Sequence, residues 1–288
     1  MILSMTGFAA VAAELPGASL AVELRSVNHR YLDLTLKLPD ELRIAEPALR
    51  ETLAGAVKRG KVECRIALNR TAQGANSLAV DGQRVTQLAA AASEVTRFVP
   101  DAVPLTVNEI LRWPGVLAEP SVAPAELAEK ATTLVAQALK ELFAARAREG
   151  AKTAAVLEAC CAGIEAQVTR VQPRVPAVHA AYTEKLAARL REAGLDPNED
   201  RLKQELALFA TKVDVAEELA RLTSHVAEVR RILAAGGSAG KRLDFLAQEL
   251  HREANTLGSK SVDGEVSQAA LELKVLIEQM REQVQNVE

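Results

Sequence analysis

Apolar and polar positions in this chain follow two different periods. In the first 70 residues, Ala21-Val22-Glu23-Leu24-Arg25-Ser26-Val27 and Tyr31-Leu32-Asp33-Leu34-Thr35-Leu36-Lys37-Leu38 alternate with a period of two, which places one face of each strand in a core. Asn28-His29-Arg30 between them reads as a hairpin turn. After Pro39 the spacing becomes helical, with Leu42, Ala45, Leu49, Leu53 and Val57 on one side and Gly60 as the stop signal. Lys61 to Asn69 returns to a strand, and the stretch from 81 to 98 is helical again.

From about residue 123 onward, Ala, Leu, Glu, Lys and Arg dominate with helical periodicity and few breakers, which predicts long helices. Pro173 and Pro176 mark a kink or junction, Asp196-Pro197-Asn198 a turn, and Gly236-Gly237-Ser238-Ala239-Gly240 a flexible link between two helices. The last helices are expected near 199 to 234, 241 to 257 and 262 to 287. The fold class is therefore α+β: an α/β-sandwich-like domain with a mixed or antiparallel sheet over 1–122, then a long-helix domain over 123–288.

Composition narrows the classes. With 288 residues, 49% of them hydrophobic, there is material for two domains with sizeable cores. No apolar window approaches the roughly 18 residues of a membrane span, so no membrane partner is expected. The N-terminal residues lack the basic and apolar regions of a secretory signal, which points to the cytoplasm. Of the three cysteines, Cys160 and Cys161 are adjacent and Cys64 lies in a predicted strand, so they read as small buried hydrophobes rather than as a zinc site. At a net charge of −3, a nucleic-acid binder must concentrate its Lys and Arg locally.

The candidate chemistry lies on the last helices. Advancing about 100° per residue, Asp214, Glu218, Arg221, His225 and Glu228 fall within about 40° of one line, separate from an apolar stripe of Val215, Leu219, Leu222, Val226, Val229 and Leu233. Carboxylates one turn apart can hold a divalent cation, His225 can transfer a proton, and Arg221 can hold a phosphate. The plain structural reading is a solvated face laced with Glu218 to Arg221 and Glu228 to Arg231 ion pairs.

The helix after the glycine link divides in the same way. Lys241, Asp244, Gln248, His251, Asn255 and Ser259 lie along one polar line, and Glu249, Glu253, Arg242 and Lys260 along a second. The two glutamates repel unless a cation or an arginine from another helix lies between them, and both explanations stand. If the two helices form a hairpin through the glycine link, their polar ridges meet; a site between subunits is the alternative. In the final helix, Val266, Leu273, Leu276, Ile277, Met280, Val284 and Val287 form an apolar face, explained by an intrachain bundle or by intersubunit packing.

Near the predicted hairpin, Arg25, Asn28, His29, Arg30, Arg59 and Lys61 form a basic cluster of the kind that contacts phosphates, against the plain reading of a solvated hairpin. Aromatic residues make up only 3%, which argues for grip through backbone and shape rather than base stacking. Trp113, beside Pro114 and Gly115, is expected to anchor a core or a domain junction.

Several blocks together resemble one family. They are Ser4-Met5-Thr6-Gly7-Phe8, Glu23-Leu24-Arg25-Ser26-Val27-Asn28-His29-Arg30-Tyr31-Leu32, Arg59-Gly60-Lys61-Val62-Glu63, Ile110-Leu111-Arg112-Trp113-Pro114-Gly115-Val116 and Glu217-Glu218-Leu219-Ala220-Arg221-Leu222-Thr223-Ser224-His225. Gly240-Lys241-Arg242-Leu243-Asp244-Phe245-Leu246, Arg252-Glu253-Ala254-Asn255-Thr256-Leu257-Gly258-Ser259-Lys260 and the run from Glu272 to Gln283 continue the series. In that order they resemble the YicC/YloC family over essentially the whole chain.

The resemblance implies an α+β N-terminal domain, a helical C-terminal domain, a ring-like hexamer and metal-assisted cleavage of RNA, with small-RNA turnover and other RNA-decay enzymes as its setting. Family members commonly carry other residues at the positions of His29 and His251, whereas His225 sits inside a matching block. The expectation is an endoribonuclease using Mn²⁺ or Mg²⁺, which suit oxygen-rich ligands. Asp214, Glu218, Glu249 and Glu253 are its carboxylate candidates, His225 its proton-transfer group, and Lys241, Arg242, Arg252, Asn255 and Lys260 its RNA contacts. The rivals are an oligomeric RNA-binding adaptor that delivers RNA to another nuclease, and a helical scaffold that binds no RNA.

Overall fold

The computed structural model describes residues 2–70, 80–117, 123–192, 204, 207–209 and 213–288; the expected turn at Asp196-Pro197-Asn198 and most of 199–212 lie outside them. Four strands, β1 (Gly7–Leu15), β2 (Ala18–Val27), β3 (Leu32–Lys37) and β4 (Gly60–Arg70), form a sheet in the order β1-β2-β4-β3. Pro16 and Gly17 join β1 to β2, with Gly17 at φ 74, and a turn this short makes the pair antiparallel. β3 pairs with β4 in parallel, from Leu32 opposite Gly60 to Lys37 opposite Arg65. The sheet is therefore mixed.

This topology corrects one expectation. Asn28-His29-Arg30 is not a hairpin turn, because β4 lies between β2 and β3. Two parallel strands need a crossover, and a 3₁₀ turn (Asp40–Ala45) with α1 (Glu46–Ala56) supplies it. The helix stops before Gly60, as Val57 is already extended; Gly60, at φ 109, instead opens β4.

α2 (Gly82–Phe98), α3 (Val107–Arg112), α4 (Pro124–Val171), α5 (Arg174–Glu192), α6 (Ala216–Ala235), α7 (Gly240–Lys260) and α8 (Gly264–Val284) follow. α4 ends before Pro173, and Pro176 falls in the first turn of α5, where its missing N–H has no helical acceptor to lose. The helices expected near 81 to 98, 241 to 257 and 262 to 287 are present at these bounds, whereas the one expected from 199 to 234 starts at Ala216, after the non-helical Asp214 and Val215.

Two compact units result: Met1–Gly7, Ser26–Asn28 and Phe143–Glu288 form one, and Phe8–Arg25 and His29–Leu142 the other. In the second unit the inward sheet face and α1 bury Leu20, Val22, Leu24, Leu42, Leu49, Leu53, Val62 and Cys64. Trp113 is 52% exposed, so it is not a core anchor; its backbone caps α3 instead.

The first unit is a helical bundle. Ile164, Leu222, Val226, Val229, Leu243, Leu250, Leu257, Leu273, Ile277 and Met280 share one core, which uses the apolar stripes of α6, α7 and α8 within a single chain. The N-terminal peptide belongs to it: Ser4 bridges Val287, and the buried Arg146 guanidinium binds the Ser4 carbonyl and the Glu288 carboxylate. A Cβ on Gly150 would lie 2.3 Å from the Ile2 carbonyl oxygen, so only glycine lets this peptide approach α4. The three cysteines are free and buried, as expected, and burial pushes the thiols of Cys64 and Cys161 up to about 12.

Candidate functional site

α6 and α7 are joined by a link whose Gly236 and Gly237 hold φ 68 and 77, which turns the chain back on itself. As α6 advances, its polar partners retreat along α7. Lys260 Nζ donates to Glu218 at 2.8 Å, Arg221 donates to Glu253 at 3.2 Å, and Arg242 donates to Glu228 at 3.2 Å. Between the Arg221 and Glu228 rungs, His225 meets Glu249 and Glu253, one ligand atom from each lying within 4.8 Å of the others. The two polar ridges therefore meet as a ladder beside the apolar seam.

The ladder's charges are unequally buried. Glu218 and Glu253 are 6% and 3% exposed, too deep for an unpaired carboxylate, and Lys260 and Arg221 offset the cost of burying them. The other Glu218 oxygen, Oε2, is enclosed and has no hydrogen-bond partner among the described residues. The hydrogen bond to Glu218 holds the Lys260 ammonium above its ordinary pKa, so it stays protonated. Arg221 is held further protonated by Glu253 and Glu217, and Arg231 with Arg242 keeps the Glu228 carboxyl below its usual range.

Other expected site residues stand apart from this cluster. The exposed Asp214 carboxylate accepts from its own neighbour, the Ala216 amide, while the Asp214 carbonyl accepts from Lys260. Asp244 pairs with Gln248 at 2.9 Å and Asn255 with His251 at 3.1 Å on the outer line of α7, where Lys241 is also exposed. Arg252 reaches Glu249 at 4.0 Å. The expected Glu218 to Arg221 pair is replaced: Arg221 binds Glu217 and Glu253, and Glu218 binds Lys260. The Glu228 to Arg231 pair is present.

Asn28 donates to the Gln285 carbonyl and belongs with the helical bundle, while Arg25, His29, Arg30, Arg59 and Lys61 belong to the sheet unit. Because β3 and β4 are parallel, His29, Arg30 and Arg59 emerge at the same end of the sheet. Arg30 lies 5.2 Å from the Tyr31 ring centre, and His29 Nδ1 is 3.0 Å from the Tyr31 carbonyl. Arg25 lines an open cleft with Phe8, Glu23, Glu63 and Arg65.

A further group on the bundle is absent from the sequence reading. Arg230 on α6 binds Glu158 and Glu165 of α4, which hold its guanidinium further protonated. The spacing of Glu158 and Glu165, two helical turns apart, is the signal that marks them as one acidic stripe.

The fold and the ladder define a mixed-sheet protein with a long-helix bundle, and the chain belongs to the endoribonuclease YicC-like family. Residues 2–155 match its N-terminal region and residues 171–288 its C-terminal part. A Haemophilus influenzae protein named probable endoribonuclease YicC is 36% identical over 288 residues, covering 100% of both chains. A Clostridioides difficile protein of the same name is 30% identical over 293 residues, again covering 100% of both.

Proposed function

We propose that this chain is a metal-dependent endoribonuclease, with His225, Glu249 and Glu253 as its metal-holding group. The observation that carries the reading is the convergence of these three side chains on the α6–α7 hairpin of a chain from a family described as endoribonucleases. The donor set fits. Two ligands of one Mg²⁺-sized ion, at about 2.1 Å each, lie at most about 4.2 Å apart, so ligand atoms that all lie within 4.8 Å of one another need at most a small inward movement. Two carboxylates with one imidazole suit Mn²⁺ better than Mg²⁺.

A bound divalent ion would neutralise charge on the scissile phosphate and lower the pKa of an attacking hydroxyl or water. Arg221 and Lys260 hold Glu253 and Glu218 in place, and Arg242 of the ladder, with Arg252, Lys241 and Asn255 of α7, supplies the phosphate contacts. Asp214 and Glu218 extend the acidic ridge at its Lys260 end. His225 is either a ligand or the proton-transfer group once the glutamates hold the ion.

Arg25, Asn28, His29, Arg30, Arg59 and Lys61 are proposed as further RNA contacts. The protein works as a homo-oligomer, hexameric by family resemblance, in the cytoplasm and in small-RNA turnover with other RNA-decay enzymes. Supporting assembly, Phe98, Val103 and Val107 are 80%, 87% and 73% exposed, and α2 buries no residue. No described helix is long and apolar enough to cross a membrane.

One observation favours the adaptor reading. Glu218, Glu253 and Glu228 each have a basic partner, as in a purely structural ion-pair ladder. Incubation with labelled RNA, with Mn²⁺ and then with EDTA, separates the two: the nuclease cuts only with metal, whereas an adaptor leaves RNA intact in both.

A further inference from the structure

We propose that the cleft between α5 and the start of α8 is a base-stacking subsite for single-stranded RNA, a proposal that rests on the ribonuclease reading above. Tyr182 of α5 and Phe209 form a parallel stack, with ring centres 3.3 Å apart and planes inclined by 6°. Both rings are only half-buried, and both line an open cleft of about 490 Å³ with Arg174, Lys185, Val262 and Asp263. That volume is in the range of small-ligand sites.

The charge at the cleft matches a phosphodiester strand. Lys185 has no ion-pair partner among the described residues, and Arg174 is held at the rim by Asp263 at 3.0 Å and Glu265 at 3.5 Å. Lys185 is thus the cation of the lining left to meet a phosphate, while Arg174 is shared between Asp263 and Glu265.

The cleft has a smaller cavity as its neighbour. Val178, Val262 and Asp263 line both, and the smaller one reaches Lys260, whose ammonium binds Glu218. A strand lying in the cleft beside Lys260 would meet the aromatic pair with one of its bases. Every base presents a π face, so this contact is tolerant of sequence but requires an unstacked base. The substrate class it selects is single-stranded rather than duplex RNA.

The test uses the full chain in EDTA, so that binding is measured without cleavage, and a fluorescent single-stranded oligoribonucleotide. Tyr182→Ala and Phe209→Ala are expected to weaken binding roughly 5- to 100-fold, and Tyr182→Phe, which keeps the ring, to bind like the parent. A 5-iodouridine oligoribonucleotide, cross-linked by light to the unaltered protein and mapped by peptide mass, is expected to mark Tyr182 or Phe209. This second arm stands even if the alanine variants fold poorly. Cross-links only elsewhere, or parent-like binding by both alanine variants, overturn the subsite. RNA that is bound and cross-linked here yet never cut overturns the nuclease reading and leaves the subsite standing. A parent that binds no RNA overturns both.

Discussion

The guanidinium of Arg221 on α6 donates to the buried carboxylate of Glu253 on α7 at 3.2 Å, across 32 residues of sequence. This contact fixes the register of the hairpin at the height where His225 and Glu249 converge. Arg221→Ala leaves Glu253 enclosed with no guanidinium, so it is expected to cost about 1–3 kcal/mol. Glu253→Gln, which removes the charge but keeps the shape, costs less, and the double variant costs less than the two single losses added. Urea unfolding of the three variants measures these differences, and equal losses would show that the contact does not couple the helices.

The link between α6 and α7 depends on Gly236, whose φ of 68 and ψ of −161 lie in a region that side chains avoid. Gly236→Ala is expected to destabilise the protein by roughly 1–3 kcal/mol. Thermal unfolding detects the loss, and an unchanged midpoint would mean that the link relaxes freely.

Asp263 caps α8 through the Glu265 and Val266 amides and binds Arg174. Burial pushes its carboxyl upward, but the two amides and the guanidinium outweigh burial and hold it below its usual range. Its folded pKa is thus below the unfolded value of about 3.9, so its stabilisation is complete above that pH and is lost as pH falls through the folded value. Asp263→Asn is expected to lower stability near neutral pH and to flatten the decline below about pH 4. Unfolding free energies from pH 2 to 7 check it; parallel profiles for parent and variant would refute the assignment.

Much of the bundle was legible because helical periodicity is local. The line through Arg242, Glu249, Glu253 and Lys260 does face α6, and the apolar stripe of α8 does enter the core. Where local reading failed, the deciding contact was distant. Nothing within residues 21–38 reveals that β4 inserts between β2 and β3. Glu218 has Arg221 one turn away on its own helix, yet burial against α7 gives it Lys260 instead. The peptide around Ser4 reads as an ordinary N-terminus until Val287 and Arg146 are seen to bind it.

The central claim is that His225, Glu249 and Glu253 act together on a metal that RNA cleavage requires. It is tested most directly by the cleavage rate of labelled RNA in Mn²⁺ for the parent, His225→Ala, Glu249→Ala and Glu253→Ala, each confirmed as folded. The account predicts cleavage by the parent that EDTA abolishes and a loss of about 100-fold or more in each variant. Parent-like cleavage by all three variants, or RNA left intact by the parent with every divalent metal, would contradict it.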